Sequence, residues 1–283
     1  MRPAAFALLW LILTAALLRP QPSSAGGGWT RPQGHGYGKL GLTAVNTTSY
    51  HTLAGQTIRT ARFQQQVVGL YGEYGLTNRL EAVLNFPVYR RATFPGFTPG
   101  HGFGDAEIGL RYGVVQGQWP LAVGVAVEIP TGNPTERGFD RQDATSFVKL
   151  PTGDGEVNVW TRAALSHALS RLPAYFTLEA GYNKRTQGFT DQYSAGVQLG
   201  YKVKDKAWLT ASVRTLSNVR TPRPDRLASI GLGEGVSYST LDLGVNYALT
   251  KHLWLTTNAA GGFGKLRNVY SGVQVTVGAA VEF

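Results

Sequence analysis

Length, composition and charge set few limits on this chain, but they exclude several chemistries. Its 283 residues fit one large domain or two small ones. Glycine is abundant at 36 residues, only 16 % of the residues are charged, and the formal net charge is +10. The absence of cysteine excludes a disulfide framework, a lipoprotein anchor and thiol chemistry. The five histidines include no HExxH and no other i, i+4 pair, so neither a metal site nor a cofactor is predicted.

The first residues predict an export signal. Arg2 precedes an apolar run over residues 4–18, which is shorter than the about 20 residues that a spanning helix needs. Pro20, Pro22 and the small residues 23–25 then end the run. We expect a signal peptide over residues 1–25 and a mature domain over residues 26–283, the alternative being an uncleaved anchor.

A hairpin pattern recurs along the mature chain. Each copy has a strand, a tight polar turn and a second strand, with an aromatic residue before the turn and an apolar or aromatic residue after it. The copies cover residues 74–83, 111–127, 167–182, 201–213 and 247–259. Aromatic residues in these positions are typical of the girdles of membrane barrels.

Alternation of apolar and polar residues extends these hairpins to about twelve strands. We expect them at residues 36–50, 62–76, 79–93, 104–116, 119–131, 156–169, 173–185, 191–203, 207–218, 236–249, 253–264 and 269–283. Long connections, notably 132–155 and 219–235, alternate with tight ones. This asymmetry predicts extracellular loops, periplasmic turns and both termini in the periplasm.

The two faces of each strand differ in the same way along the chain. Ile108, Leu110 and Tyr112 share one face, while Glu107 and Arg111 share the other. A sandwich would bury the apolar face and a membrane barrel would turn it to lipid, so periodicity alone leaves both open. Together with the signal peptide, the aromatic turns and the loop asymmetry, the pattern predicts an all-β fold. We expect a transmembrane antiparallel up-and-down β-barrel of about 12 strands in a Gram-negative outer membrane.

The chain ends in VYSGVQVTVGAAVEF, with Phe283 on the apolar face. An aromatic residue at this position resembles the C-terminal signature by which the barrel-assembly machinery recognises its substrates. We therefore expect Phe283 to act in assembly.

Charged residues of mixed sign fall on the inward face. The candidates for the lumen or its constriction are Glu107, Arg111, Glu128, Arg162, Glu179, Arg214 and Asp242. We expect these side chains to pair with one another and to hold the lumen together. The alternative is that Arg111, Arg162, Arg214 and Asp242 lie near mid-height and define a constriction whose charge screens solutes.

Two further groups fall near the predicted extracellular loops. Gly104, Asp105, Pro130, Thr131 and Gly132 are expected at the mouth, where Asp105 would cap the loop backbone. The expected loop arginines are 90, 91, 137, 141, 220, 223 and 226, and they would either meet phosphates of lipopolysaccharide or stay solvated. Their dispersal over an exported chain argues against nucleic acid as a partner.

Three motifs resemble one known family. GHGFGDAEIGLRY at residues 100–112, AVGVAVEIPTG at residues 122–132 and YGLTNRLE upstream are similar to Gram-negative outer-membrane transporters named for the MetA pathway of phenol degradation. The Gly-Thr-Gly segment expected after Pro-Thr-Gly is absent, and residues 149–154 carry Lys-Leu-Pro-Thr-Gly-Asp instead. The resemblance implies passive passage of aromatic or other hydrophobic small molecules, and it supplies no catalytic residues.

We therefore predict a channel for small, aromatic or hydrophobic molecules rather than an enzyme. About twelve strands leave a narrow lumen, which favours a small solute. A non-conducting structural barrel or adhesin is the alternative, and a lipid hydrolase is a further one. Ser166 and His167 are adjacent on one strand and point to opposite faces, whereas Ser49 and His51 share a face but have no identifiable third partner.

Overall fold

The computed structural model describes residues 27–204, 206–223 and 232–283, and these ranges contain sixteen β-strands. The predicted signal peptide over residues 1–25 lies outside the described residues. The strands are β1 Gly36–His51, β2 Thr57–Gly75, β3 Leu80–Thr93, β4 Gly100–Gly102, β5 Ala106–Val115, β6 Leu121–Ile129, β7 Arg137–Phe139, β8 Phe147–Lys149, β9 Asn158–Leu169, β10 Ala174–Arg185, β11 Gln192–Val203, β12 Ala207–Asn218, β13 Ser237–Ala248, β14 Leu253–Arg267, β15 Val269–Ser271 and β16 Gln274–Glu282.

Twelve of these strands close into an antiparallel barrel. The order around the barrel is β1, β2, β3, β5, β6, β9, β10, β11, β12, β13, β14 and β16, which pairs again with β1. Closure is visible at Leu40, which lies opposite Leu70 of β2 and Ala279 of β16. The short β4 continues β5 along β3, and β15 continues β16 along β1. The predicted twelve-stranded up-and-down barrel is confirmed.

The two faces of the wall lie as the alternation predicts. Leu40, Ile108 and Leu110 point outward and are 53 %, 52 % and 51 % exposed, whereas the inward Glu81 has no exposed surface. The apolar outer face of the wall suits contact with lipid, and the polar inner face suits a polar lumen.

The barrel has two unlike ends. The tight turns and the start of β1 and end of β16 lie at one end, which we call the turn end. The long connections lie at the other, which we call the loop end. No helix in the described ranges is long and apolar enough to cross a membrane.

Two features differ from the sequence prediction. The second strand begins at Thr57 rather than at residue 62, because a register shift against β1 interrupts the alternation of apolar and polar residues before Phe63, while residues 57–59 still pair with β1. The connection 132–155 contains the β7–β8 hairpin and folds inward, so that Leu150 is fully buried against Val45, Phe63 and Ala92 of the barrel wall. The second long connection is described only at residues 219–223 and 232–235.

Candidate functional site in the barrel lumen

The lumen holds a cavity of about 1110 Å³ that extends from Gly27 near the turn end to Tyr270 near the loop end. Small and polar side chains cover much of its wall because alternate residues of every strand point inward. Nine aromatic residues also line the cavity: Tyr37, Phe63, Tyr71, Trp160, Tyr175, Trp208, Tyr238, Trp254 and Tyr270. The lumen can therefore offer aromatic surfaces and hydrogen-bonding groups along one path.

A segment outside the strands, residues 27–35, lies across the turn end of the lumen. It leaves β1 and reaches β9 and β10 on the opposite side of the barrel, where Gly28 N–H donates to Ser166 Oγ (2.8 Å). Trp29 meets the Tyr175 ring edge-on, with centroids 5.7 Å apart. A side chain on Gly28 would collide with the Pro120 carbonyl oxygen, so the segment follows the wall closely there.

Arg31 fixes the middle of this segment. Its guanidinium lies 2.9 Å from Glu73 and 3.2 Å from Glu282, and its backbone N–H donates to Glu81 (2.7 Å). The predicted mature chain was assigned no feature before the first strand. Trp29 and Arg31, which lie between the expected cleavage site and β1, are the residues in the sequence that could have indicated this segment.

Arg111 belongs to the same cluster and not to a mid-height constriction. It pairs in register with Glu81, directly after the tight turn between β2 and β3, and it contacts Glu73 (3.0 Å) and Glu81. The position predicted for Arg111 along the barrel axis was wrong. That position depends on the register between neighbouring strands, and counting residues along one strand does not give the register. Two arginines and three glutamates thus form one ionic cluster at the turn end.

The other predicted constriction residues lie farther up the lumen. Arg162 and Glu107 form a two-pronged ion pair, with both N–O distances at 2.6 Å, and Arg162 also stacks over Trp160 at 4.5 Å. Arg214 lies 3.9 Å from Glu179, and Asp242 accepts a hydrogen bond from Asn258 (2.5 Å). Arg162 and Arg214 keep 44 % and 57 % of their side-chain surface exposed, which leaves them open to a passing solute.

Charges in this middle region balance. Lys39, Arg162 and Arg214 line it together with Glu107, Glu179 and Asp242, while Arg90 lines the cavity nearer the loop end, within reach of the charges of Asp105 and Asp154. Three cations facing three anions do not make the single-sign ring that selects ions of one charge. The arrangement suits a neutral solute or one that carries both signs.

The predicted mouth residues are joined by hydrogen bonds at the loop end. Asp105 accepts from Gly132 N–H (2.9 Å) and from Asp154 N–H (2.7 Å), while Thr131 Oγ1 donates to the Gly104 carbonyl (2.6 Å). Pro130 directly follows β6. Of the predicted lumen residues, Glu128 lies near this end and accepts from Asn158 (3.0 Å). The motif therefore ties the connection 130–157 to β5.

An ionic group that was not predicted joins this connection to its neighbours. Arg185 at the end of β10 contacts Asp154 (3.1 Å) and Glu156, and it donates to the Gly233 carbonyl (3.1 Å). Burial raises the pKa of Glu156 to about 7, although Arg185 acts in the opposite direction. Glu156 has no exposed surface. No local sequence pattern predicted this group, because its members are far apart from one another in the sequence.

The structure places the arginines that were predicted in loops in different environments. Arg90 was wrongly placed in a loop: β3 extends to Thr93, and Arg90 points into the lumen. Arg91 lies beside it on the outward face, Arg137 stacks over Phe147 (4.1 Å), and Arg226 lies outside the described residues. In the described ranges, no three His, Asp or Glu side chains are placed to hold a metal ion.

The serine and histidine residues of the two candidate pairs have other neighbours in the fold. Ser166 points inward to Gly28, whereas His167 points outward and stacks on Trp119 (4.1 Å). His51 contacts Ser271 rather than Ser49, with Nε2 2.7 Å from Ser271 Oγ, and its other ring nitrogen meets the Thr57 hydroxyl (3.1 Å). A hydroxyl is a weak orienting group, since catalytic Ser–His pairs are normally completed by a carboxylate or an amide.

Phe283 lies at the seam of the barrel. It is 61 % exposed, and it exchanges two backbone hydrogen bonds with Gly36 at 2.7 and 3.1 Å. A side chain at Gly36 would collide with the Phe283 ring. The aromatic residue is thus held outward where the last strand meets the first.

This geometry defines a twelve-stranded barrel with a partly obstructed lumen, and the comparisons assign its fold to the outer-membrane barrels. An outer membrane channel from Pseudomonas putida F1 has 16 % identity to the chain and a TM-score of 0.65, over 92 % of this chain and 99 % of the other. The translocator domain of the autotransporter NalP from Neisseria meningitidis has 11 % identity and a TM-score of 0.51, over 99 % and 97 %. No family model and no curated protein matches the sequence, so membership of the MetA-named family is not confirmed.

Proposed function

We propose that the protein is an outer-membrane channel for passive entry of small aromatic or hydrophobic molecules. The observation that carries this proposal is the cavity of about 1110 Å³, which extends along the lumen. In this proposal residues 1–25 direct export, the loop end faces outward, and the turn end faces the periplasm with both termini. The barrel-assembly machinery would recognise Phe283.

The lining supports aromatic solutes that also carry polar groups. Trp160, Trp208 and Trp254 offer ring faces, while neighbouring amides and hydroxyls offer hydrogen bonds. The balanced charges of the middle lumen impose no large electrostatic barrier on a neutral molecule. A phenol-like compound combines the two properties that this surface accommodates.

Residues 27–35 limit the size of what can pass. The segment lies across the turn end and is held on both sides, by Ser166 and by the acidic cluster around Arg31. A solute must pass beside the segment or displace it. This supports small solutes and argues against a wide general porin.

Single-channel recording of the refolded mature protein tests the proposal. We expect discrete openings in planar bilayers, and we expect Arg162→Ala and Arg214→Ala to change their size or ion preference. Arg137→Ala, which alters an exposed loop cation, serves as the control. Vesicles that contain the protein should take up a neutral phenol faster than empty vesicles.

A silent bilayer and unchanged vesicle uptake, from protein that shows heat-modifiable folding, would contradict the proposal. That result would favour a non-conducting structural barrel or an adhesin. Conduction of ions without uptake of the phenol would keep the channel and reject the solute class.

A further inference from the structure

Five cations lie together on the outward face of the loop end. We call this group the basic belt, and it consists of Arg59 and Arg62 on β2, Arg91 on β3, and Lys265 and Arg267 on β14. Only Arg91 was among the arginines that the sequence suggested for contact with phosphates. The belt spans the seam where the barrel closes.

Alternation along the strands fixes the orientation of four of these side chains. Phe63, Arg90 and Leu266 line the lumen, so their neighbours Arg62, Arg91, Lys265 and Arg267 point outward. Arg59 lies beyond the register shift between β1 and β2 at Thr47 and Ser49, so alternation counted from Phe63 does not extend to it. We place Arg59 in the belt because its side chain is exposed and it pairs with Ser49 at the loop end.

Strand order makes the belt continuous. From β14 the wall proceeds through β15 and β16 to β1, β2 and β3, which is four interstrand steps. At about 4.8 Å per step, the belt extends over roughly 20 Å of the barrel surface.

The belt has no anionic partner in the described part of the protein. The ion pairs found there use other cations, including Arg31, Arg111, Arg162, Lys184, Arg185 and Arg214. Lys184, which is also exposed at the loop end, shows the contrast because it is paired with Asp191 at 2.9 Å. Five unpaired like charges repel one another unless an external anion compensates them.

The belt lies directly beyond the apolar band. Leu42 on β1, Val275 on β16 and Val273 just before β16 point outward and are 51 %, 46 % and 64 % exposed. Farther toward the loop end the outward residues become polar, with Asn46 on β1 and Gln64 and Gln66 on β2. Arg91 lies level with Gln66, and the other cations follow toward the loop end, at the height where the headgroups of a surrounding lipid leaflet would lie.

We propose that the basic belt binds the phosphate groups of lipopolysaccharide in the outer leaflet. Four of the five cations are arginines, whose planar guanidinium groups bind phosphate oxygens in pairs. The inference rests on the proposed outer-membrane location and orientation. It does not depend on conduction, since the belt lies on the opposite side of the wall from the lumen.

Binding of lipid A by the refolded protein in neutral detergent, followed by native mass spectrometry, tests the belt. The belt variant carries Arg59→Gln, Arg62→Gln, Arg91→Gln, Lys265→Gln and Arg267→Gln. The matched control removes five exposed cations from four tight turns, by Arg79→Gln, Arg171→Gln, Lys204→Gln, Lys206→Gln and Lys251→Gln. Both variants change the net charge equally, so they separate a defined site from general attraction.

We expect the belt variant to bind bisphosphorylated lipid A at least about tenfold more weakly than the wild type, with the control close to the wild type. Lipid A without phosphates should bind all three proteins equally. Equal affinities of the three proteins for the bisphosphorylated lipid, or equal losses in both variants, would overturn the proposal. Conductance in phosphatidylcholine bilayers, recorded on the same preparations, reports separately on the proposed channel.

Discussion

Arg31 lies outside the barrel strands, and its Nε atom is 2.9 Å from Oε2 of Glu73 in β2. Glu73 is almost fully buried and also accepts hydrogen bonds from the Tyr71 hydroxyl (2.7 Å) and from Arg111 (3.0 Å). One carboxylate therefore joins the barrel wall to the segment that lies across its turn end.

Arg31→Ala is expected to loosen the segment 27–35 and to increase the time that the channel spends in a larger conductance state. Loss of hydrogen bonds to charged groups weakens the contact by about 1–3 kcal/mol, which changes the ratio of times spent in the larger and smaller conductance states about 5- to 150-fold. Single-channel recording measures this ratio. Arg79→Ala, at an exposed position of the tight turn after β2, is the control, and an unchanged distribution of conductance states in Arg31→Ala would contradict the prediction.

Glu107→Gln and Arg162→Gln are expected to shift ion preference in opposite directions. Removing the carboxylate leaves an excess cation in the middle lumen and favours anions, while removing the guanidinium favours cations, each by roughly twofold or more in permeability ratio. Reversal potentials in a KCl gradient measure the ratio. The double variant restores the balance and should return close to the wild type. Shifts in the same direction would show that the pair does not line the conducting path.

The packing of the loop end is expected to depend on pH through Glu156. Burial raises the pKa of Glu156 in the folded protein to about 7, above its unfolded value, so this group contributes stability at low pH. That stability is fully present below the unfolded pKa and is lost as the pH rises through about 7. Hydrogen exchange of residues 150–157, corrected for intrinsic rates, should therefore show greater protection near pH 5 than near pH 8, about three pH units apart.

Glu156→Gln is the matched variant for this measurement. Its amide oxygen still accepts from Arg185 but does not titrate, so the protection of residues 150–157 should vary less with pH. Equal pH dependence in the variant and the wild type would assign the effect to another group, such as Asp154, whose pKa burial also raises.

Phe283→Ala is expected to reduce the amount of folded protein in the outer membrane of cells while refolding in detergent stays efficient. The backbone bonds between Phe283 and Gly36 do not need the ring, so the folded barrel should keep its closure. The heat-modifiable band in membrane fractions measures assembly, and the same band after refolding in vitro is the control. If the variant reached the wild-type amount of folded protein in the outer membrane, Phe283 would not be needed for assembly.

Much of the barrel wall was predictable because the sequence pattern of a strand is local. The alternation around Ile108, Leu110 and Tyr112 reports a two-faced strand from a few neighbouring residues, and tight turns fix where each strand ends. The first residues of β2 were missed because a register shift against β1 interrupts the alternation there. The prediction therefore failed where the strand continues but its period of two does not.

The lumen was less predictable for the same physical reason. Inward orientation of Arg162 and Asp242 follows from alternation, but the partner of each charge depends on strands that are distant in sequence. Arg111 shows the limit: its face was predicted correctly and its height was not.

The sequence by itself determined the number of strands, their faces and the alternation of long and short connections, since each of these is a local property of the chain. Tertiary structure alone decided that residues 27–35 lie across the turn end, that Arg185 joins three loop-end segments, and that five cations from three strands form one belt. These arrangements require the closed register of the barrel, which pairs residues as far apart in sequence as Tyr37 and Glu282, and no local pattern carries that register.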